Sequence, residues 1–295
     1  MGEAGKALIF SRFFMKIIEC PRDAMQGIKD FIPTEVKIRY INQLLKVGFD
    51  TIDFGSFVSP KAIPQMQDTA EVLEKLELDT TTSKLLAIIA NTRGAGDAAQ
   101  HQQIDYLGFP LSVSETFQQR NTNKSIAEAM EQLARIQDIC HKHDKTLVTY
   151  ISMGFGNPYN DPWNVETVIR FVQDLDQLQV KIVSLSDTIG VATPENITYL
   201  FSNLIPAFQQ IEFGAHLHTT PTTWQEKIAA AYQAGCRRYD GALRGYGGCP
   251  MAKDELVGNM PTENMVGYFE NNGVNLGLNK AALQAAMAES GAVFL

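Results

Sequence analysis

The amino-acid sequence predicts a TIM (β/α)8 barrel, a closed ring of eight parallel strands that are each followed by a helix. Short runs rich in Ile, Val, Leu, Tyr and Phe alternate with amphipathic segments, and eight such runs fall within about 250 residues, the usual length of this fold. A doubly wound open sheet also alternates strands and helices, but no GxGxxG motif follows the first run. The predicted strands are 16–20, 50–54, 84–91, 103–111, 146–152, 181–187, 211–218 and 237–242.

The segments between the predicted strands carry apolar residues at helical spacing. Segment 34–48 has Pro33 just before it and Gly48 at its end, which are a start signal and a stop signal for a helix. Segments 125–143 and 224–235 have the same periodicity. A long loop after the eighth strand and a C-terminal helical extension complete the predicted fold.

Residues 16–295 are predicted to form one (β/α)8 domain, because no linker-like or low-complexity stretch divides them. Strand-like patterning begins only at Lys16, so residues 1–15 are predicted to be a leader that is disordered or non-native. The apolar part of this leader is too short for a secretory signal. We interpret it as an expression leader or as the result of a start upstream of Met15.

The composition limits the classes of partner. The chain has 295 residues, a formal net charge of −8, and is 45% hydrophobic and 20% charged, as is typical of a globular protein with a large core. An acidic chain is poorly suited to electrostatic binding of nucleic acid or of a membrane surface, so we expect neither partner. Four cysteines without a CxxC pair indicate a reducing compartment, and we expect a cytoplasmic location.

Ionisable and coordinating side chains follow several predicted strands at their carboxyl ends, where barrel enzymes place their chemistry. Each of them also has an ordinary alternative: a surface ion pair for Arg22 and Asp23, a helix cap for Asp187, or a small apolar filler for Cys249. Their shared location in the predicted barrel makes them candidates for a functional site. In chain order the candidates are Arg22, Asp23, Asp53, Asp187, His216, His218, Cys249 and Asn259.

Four of these residues have the pattern of a metal site. Two histidines at positions i and i+2 of a strand face the same side, so His216 and His218 can present two imidazoles to one ion. In a closed barrel the eighth strand pairs with the first, which brings Asp23 and Asn259 towards the same point. This nitrogen and oxygen set suits Mg²⁺ or Mn²⁺, and raw affinity also allows Zn²⁺. The alternative is a packed pair of histidines with no ion.

A second pair with the same spacing, His141 and His143, serves as an internal comparison. It lies at the end of the predicted helix 125–143, where residues i and i+2 do not share a face. We expect these two side chains to be solvated and to be favoured by the helix dipole, with no role in metal binding.

Several segments, read in chain order, resemble the 3-hydroxy-3-methylglutaryl-CoA lyase family of metal-dependent TIM barrels. The ordered set covers about residues 16 to 268 and is far more specific than a single HxH motif. The segments are CPRDAMQ at 20–26, SFVSPKAIPQM at 56–66, SETFQQRNTNKSIAEAM at 114–130, SDTIGVATP at 186–194, AHLHTT at 215–220, GGCPMA at 247–252 and GNMPTEN at 258–264.

The resemblance implies a role for each candidate residue. Asp23, His216, His218 and Asn259 would hold a divalent cation, Mg²⁺, Mn²⁺ or Zn²⁺. Arg22 would lie beside the carbonyl of an acyl-CoA substrate. The further implied roles are substrate contact for Gln26 and support of Arg22 for Asp53. Asp23 or Asp187 would act as the base, and His216 or Cys249, the latter on a movable loop, would return a proton.

The implied reaction is carbon–carbon cleavage of a 3-hydroxyacyl-CoA to acetyl-CoA and acetoacetate. The resemblance also implies a homodimer and a place in leucine degradation. Two alternatives stay open at this point. A Claisen-type synthase of the same superfamily typically has a long C-terminal regulatory region, whereas this chain ends soon after its eighth barrel helix; a non-catalytic barrel that binds an acyl-CoA or a metal is the other.

The sequence departs from the family pattern at positions that face the substrate or support the ligands. Thr219 follows the second histidine where the family usually has Asp, and Asp53 stands in place of Glu. Asn157 replaces a cysteine, and the fifth strand around Val148 lacks an arginine that lyases often carry. These departures favour a related substrate as a further alternative.

Overall fold

The predicted TIM barrel is confirmed by a computed structural model that describes residues 15–248 and 257–294. In this part of the chain, eight parallel strands form a ring in which β1 pairs with β2 and β8, and β6 pairs with β7. The strands are β1 Lys16–Glu19, β2 Thr51–Ser56, β3 Lys84–Ile88, β4 Tyr106–Ser112, β5 Thr146–Ser152, β6 Ile182–Asp187, β7 Glu212–Thr219, β8 Arg238–Gly241, and the short additional strand β9 Gly258–Asn259.

Helices surround the ring and bury their apolar faces against it. They are α1 Pro21–Gln26, α2 Thr34–Leu45, α3 Thr69–Glu74, α4 Thr92–Ala99, α5 Glu115–Thr122, α6 Ile126–Lys142, α7 Val165–Gln177, α8 Pro194–Ala207, α9 Trp224–Gln233, α10 Thr262–Asn271 and α11 Lys280–Phe294. Helix α10 follows β8 as the eighth barrel helix, and α11 is the predicted C-terminal helical extension. No helix in the ranges 15–248 and 257–294 combines the length and the hydropathy needed to cross a bilayer.

Local sequence signals account for the helix boundaries. The Ser125 hydroxyl accepts a hydrogen bond from the Glu128 amide, and the Glu128 carboxylate accepts one from the Ser125 amide, so both donors are satisfied at the start of α6. Helix α2 begins after Pro33, and the chain leaves it through Gly48, whose φ of +84° favours glycine.

Three local features differ from the predictions. Strand β3 is shorter than the predicted 84–91, because the Asn91 side chain accepts a hydrogen bond from the Gly94 amide and starts α4. The residues that follow β1 are helical, so Arg22 and Asp23 project from a short helix. The unpredicted strand β9 pairs antiparallel with the end of β7.

Two predictions concern residues outside the described ranges. The proposed leader 1–15 lies outside them except for Met15. The long loop after β8 is described up to Gly248 and again from Val257, so the prediction for Cys249 falls outside as well. Both remain predictions.

Candidate active site and metal centre

The two histidines of β7 lie on the inner wall of the barrel, at its carboxyl end. His216 pairs in register with Ser186 of β6 and with Asp240 of β8, and its ring centroid lies 5.3 Å from that of His218. Asp23, His216 and His218 each bring one potential ligand atom within 4.8 Å of the other two. The structure therefore brings together three of the four side chains predicted to bind a metal.

Hydrogen bonds orient both imidazole rings. His218 Nδ1 lies 2.9 Å from the Thr188 carbonyl oxygen, which can only accept, so Nδ1 carries the proton. The lone pair of His218 is then on Nε2, which is buried and has no hydrogen-bond partner among the described residues. His216 Nδ1 lies 3.0 Å from Asp240 Oδ2, which leaves its Nε2 on the opposite edge of the ring. This is the arrangement of metal-ligating histidines, whose second nitrogen is held by a carboxylate or a carbonyl.

The two histidines differ in their tendency to bind a proton. Burial and the neighbouring His216 lower the pKa of His218 to about 4, so its ring is neutral at pH 7. Burial also acts to lower the pKa of His216, but the hydrogen bond and the charge of Asp240 outweigh it and raise that pKa above its ordinary value.

Asp23 is the most heavily contacted acid of the cluster. Its Oδ1 accepts hydrogen bonds from Arg22 Nη1 at 2.8 Å and from Gln26 Nε2 at 2.7 Å, and its Oδ2 accepts one from Asn259 Nδ2 at 2.8 Å. Burial opposes ionisation, but Arg22 and the two histidines lower the pKa of Asp23 to about 2. The carboxylate is therefore charged at neutral pH.

Asn259 reaches this carboxylate because of strand β9. The register pairs Asn259 with His218 and Gly258 with Thr219, which places the last predicted ligand across from the second histidine. The Asn259 side chain thus lies beside that of Asp23, next to the cluster of Asp23, His216 and His218.

Arg22 is held in a buried ion pair with Asp53. Its Nε lies 3.0 Å and 3.2 Å from the two Asp53 oxygens, and Nη2 donates to Asp53 as well. Burial raises the pKa of Asp53 to about 6, against the opposing effect of Arg22. The guanidinium therefore bridges two carboxylates, Asp53 and Asp23.

Asp187 lies at the end of β6 with both of its oxygens occupied. Oδ2 accepts a hydrogen bond from Lys227 Nζ at 2.6 Å, and Oδ1 accepts one from the Ala192 amide at 3.1 Å. The side chains of Asp187 and Lys227 are 0% and 2% exposed. Asp187 thus forms a buried ion pair with Lys227 of α9.

Several residues of the site were missed in the sequence. Asp240 stands two residues after Arg238 in β8, and the strand alternation that places both on the inner wall was an available signal. Lys227 gave no comparable signal, since a lysine on an amphipathic helix is usually solvated. Gln26 was predicted to contact the substrate, and its side chain here holds Asp23.

Glu19 is a further residue that the sequence analysis did not identify, and it contacts the chain on both sides of the long loop after β8. Its Oε1 accepts a hydrogen bond from the Leu243 amide at 2.9 Å, and its Oε2 lies 2.6 Å from the Thr262 hydroxyl. Burial raises the pKa of Glu19 to about 8. The loop that delivers Asn259 is therefore anchored to β1 at both of its ends.

The departures from the family pattern also have defined surroundings. The Thr219 hydroxyl donates to the Asn259 carbonyl at 3.4 Å and so contacts the chain of the fourth ligand. The Asn157 side chain accepts hydrogen bonds from the amides of Tyr159 and Asp161, which stabilises its own loop after β5. His141 and His143, the comparison pair, lie at the end of α6.

Sequence comparison agrees with this arrangement. The HMGL-like family model matches residues 15–288. The chain belongs to the HMGL-like family. Hydroxymethylglutaryl-CoA lyase YngG of Bacillus subtilis is 34% identical over 250 residues, which span 85% of this chain and 83% of that protein. The mitochondrial hydroxymethylglutaryl-CoA lyase of Mus musculus is 31% identical over 275 residues, 92% of this chain and 83% of the relative.

Solved structures of HMG-CoA lyases are similar to this HMGL-like chain over nearly its full length. The enzyme from Brucella melitensis superposes with a TM-score of 0.88 at 30% identity, over 95% of this chain and 98% of that one. An HMG-CoA lyase from Acinetobacter baumannii, in complex with coenzyme A and 3-methylmalate, gives a TM-score of 0.87 at 30% identity, over 95% and 91% of the two chains.

Proposed function

We propose that this chain is a divalent-metal-dependent carbon–carbon lyase that cleaves 3-hydroxy-3-methylglutaryl-CoA, or a closely similar 3-hydroxyacyl-CoA, to acetyl-CoA and acetoacetate. One observation carries the proposal. Asp23, His216 and His218 bring potential ligand atoms within 4.8 Å of one another, and Asn259 is hydrogen-bonded to Asp23. This cluster lies beside a buried arginine at the carboxyl end of a barrel whose relatives are lyases of this kind. The Acinetobacter baumannii relative with bound coenzyme A supports an acyl-CoA as the substrate.

The side chains fit a divalent cation. The buried Nε2 of His218 has no hydrogen-bond partner among the described residues, and such an atom costs free energy unless something binds it. Neutral imidazole, a charged carboxylate and an amide form a mixed nitrogen and oxygen donor set suited to Mg²⁺ or Mn²⁺, and raw affinity also allows Zn²⁺. We propose Asp23, His216, His218 and Asn259 as the ligands.

The proposed reaction involves two proton transfers and breaks one carbon–carbon bond. A base removes the proton of the C3 hydroxyl, the C2–C3 bond breaks, and its electron pair passes to the thioester enolate, while C3 becomes the ketone of acetoacetate. Protonation of the enolate carbon then gives acetyl-CoA. A bound divalent cation would supply Lewis-acid polarisation of the substrate oxygens.

The chain supplies charge stabilisation and proton transfer. Arg22 is buried, permanently charged and held by Asp53, so it is preorganised to stabilise the negative oxygen of the enolate. Asp23 and Asp187 were both candidates for the base. We assign this role to Asp23, because it lies in the proposed ligand cluster, whereas the Asp187 side chain is 0% exposed and paired with Lys227. His216 and Cys249 were both candidates to return a proton to the enolate carbon. We assign this step to Cys249, because a metal-bound His216 would have Nε2 on the cation and Nδ1 on Asp240, which leaves neither nitrogen free to deliver a proton.

Neither alternative activity has an observation of its own in its favour. A Claisen-type synthase shares the fold, but the relatives described above are lyases. A non-catalytic barrel has no need for a permanently charged arginine held beside a metal-ligand cluster. A homodimer, a cytoplasmic location and a role in leucine degradation remain predictions.

The proposal is tested by measuring acetyl-CoA and acetoacetate formed from a panel of 3-hydroxyacyl-CoA thioesters with Mg²⁺, Mn²⁺ or EDTA. We expect equal amounts of the two products from 3-hydroxy-3-methylglutaryl-CoA, and loss of activity in EDTA that added metal restores. Cleavage that is indifferent to EDTA would contradict the metal site, and inactivity toward every thioester in the presence of metal would contradict the lyase.

The chain contains a matched control for the histidine pair. Replacing His216 and His218 by alanine together should remove both Mn²⁺ binding and turnover. The same double replacement at His141 and His143, which have the same spacing at the end of α6, should leave both unchanged.

A further inference from the structure

Lys227 of α9 buries its ammonium group behind the metal-ligand cluster. Its side chain is 2% exposed, and Nζ donates three hydrogen bonds: to Asp187 Oδ2 at 2.6 Å, to the Gly190 carbonyl at 3.0 Å and to the His218 carbonyl at 2.9 Å. An ammonium group has three donors, so each of them is satisfied. Asp187 supplies the opposite charge.

A buried ion pair of this kind is weak evidence for stability, because removing two charges from water costs several kcal/mol each before their attraction is counted. Its geometry is more informative. The three acceptors belong to the end of β6, to the loop that follows it, and to β7. The parallel pairing of β6 with β7 ends at Asp187 and Leu217. Beyond that pair, Lys227 connects the loop after β6 to the end of β7.

These two segments carry the two partners of one hydrogen bond. Thr188 lies between Asp187 and Gly190, both of which are bound to Lys227, and the Thr188 carbonyl accepts the Nδ1 proton of His218. The backbone of His218 is bound to the same ammonium. One buried ammonium thus acts on both partners of this hydrogen bond, in addition to the Met153 amide that donates to the Thr188 hydroxyl and the pairing of His218 with β9.

We infer that Lys227 is a positioning residue that, with Asp187, holds the Thr188 carbonyl against His218 and so fixes the tautomer and direction of the His218 ring. The inference rests on the proposed function in one respect, which is that His218 is taken to be a metal ligand. Thr219 stands where the family usually has Asp, and its hydroxyl contacts the Asn259 carbonyl. The support for His218 comes from Lys227 of α9 instead.

A second buried lysine provides a matched control. Lys37 of α2 is also 2% exposed, and its Nζ donates to Asp68 at 2.7 Å and to the Gln65 carbonyl. This ion pair holds the loop after β2 and contacts none of the proposed ligands. Replacing Lys37 by methionine therefore reproduces the loss of a buried ion pair without touching His218.

The first measurement needs no metal. Ring nitrogen spectra of the full-length, EDTA-treated protein with ¹⁵N-labelled histidine report the tautomer of each ring. We expect a single Nδ1-protonated form for His218 in the wild type and in Lys37→Met, and a mixture of tautomers in Lys227→Met. Because Lys227→Met leaves Asp187 buried and unpaired, a second variant combines it with Asp187→Leu; it removes both charges and should show the same mixture.

The second measurement is the dissociation constant for Mn²⁺ of the same four proteins. We expect both Lys227 variants to bind Mn²⁺ about 10- to 100-fold more weakly, the usual loss when the support of a ligand is removed, and Lys37→Met to match the wild type. An unchanged His218 tautomer in the double variant would overturn the inference, as would an equal loss of Mn²⁺ affinity in Lys37→Met. A wild type that binds no Mn²⁺ would refute the metal site, while the tautomer measurement would still decide the role of Lys227.

Discussion

The inner wall of the barrel has two unlike halves. Strands β7, β8, β1 and β2 are consecutive in the ring and carry the ionisable groups, whereas β3 to β6 line the interior with an apolar cluster. The ionisable half contributes Cys20, Asp53, His216, His218, Arg238 and Asp240, together with Arg22 and Asp23 from the helix after β1. The apolar half contributes Leu86, Ile88, Tyr106, Val148, Tyr150 and Ile182.

The groups in the ionisable half shift one another's pKa values, which suits them to catalysis. Charge lowers the pKa of Asp23 to about 2, and burial with charge lowers that of His218 to about 4. The apolar half is tightly packed instead. A Cβ added to Gly108 would lie 2.5 Å from Ile88 Cδ1, closer than carbon atoms can approach. We infer that one half provides chemistry while the other provides stability, and the following variants test that division.

The largest effect is expected at Arg22. Arg22→Met removes the permanent charge proposed to stabilise the enolate, so kcat should fall by roughly a thousandfold, the loss typical of a missing preorganised donor. The dissociation constant for Mn²⁺, measured by calorimetry, should rise by no more than about tenfold, because Asp23 loses the hydrogen bond from Arg22 Nη1 while the four proposed ligands remain. The control is Arg93→Met, since the side chain of Arg93 is 91% exposed on α4. Joint loss of Mn²⁺ binding and activity in Arg22→Met would contradict the assigned role.

The sequence predicted the approximate positions of the eight strands. It also predicted that the candidate site lies at the carboxyl end of the barrel. Apolar runs of four to eight residues recur at the spacing that βα units require, and polar residues follow them. His216 and His218 were predictable because strand alternation alone places both on one face. Asp23 and Asn259 required in addition the closure of the ring, which the predicted fold supplies.

The supporting contacts could not be predicted in the same way. Lys227 is nine residues from His218 in sequence, and its burial depends on how α9 packs against the loop after β6. Asp187 was predicted to act in the active site, and only the coordinates show that both of its oxygens are occupied. Pairwise contacts between a helix and a distant loop leave no periodic trace in one sequence.

A smaller effect, on stability alone, is expected in the apolar half. Leu86→Ala leaves a cavity in the apolar cluster inside the barrel, and such a replacement of a fully buried leucine lowers the free energy of unfolding by about 2 to 5 kcal/mol. Urea denaturation should show that loss, while the Mn²⁺ dissociation constant of the folded protein stays at the wild-type value. A weaker Mn²⁺ affinity in Leu86→Ala would show that the two halves are coupled and would break the division.

The smallest effect is expected at Asp240, and its sign depends on pH. Asp240 raises the pKa of His216, and Mn²⁺ requires the unprotonated ring, so in the wild type Mn²⁺ affinity should fall as the pH falls through that raised pKa. Asp240→Asn removes the negative charge and lowers the pKa of His216, so the fall should begin at a lower pH. At a pH high enough that the affinity of both proteins no longer rises, the variant should bind Mn²⁺ about tenfold more weakly because the ring has lost its carboxylate partner. Titration of Mn²⁺ from pH 5.5 to 8 measures both effects, and a profile that keeps the wild-type midpoint would show that Asp240 does not control the protonation of His216.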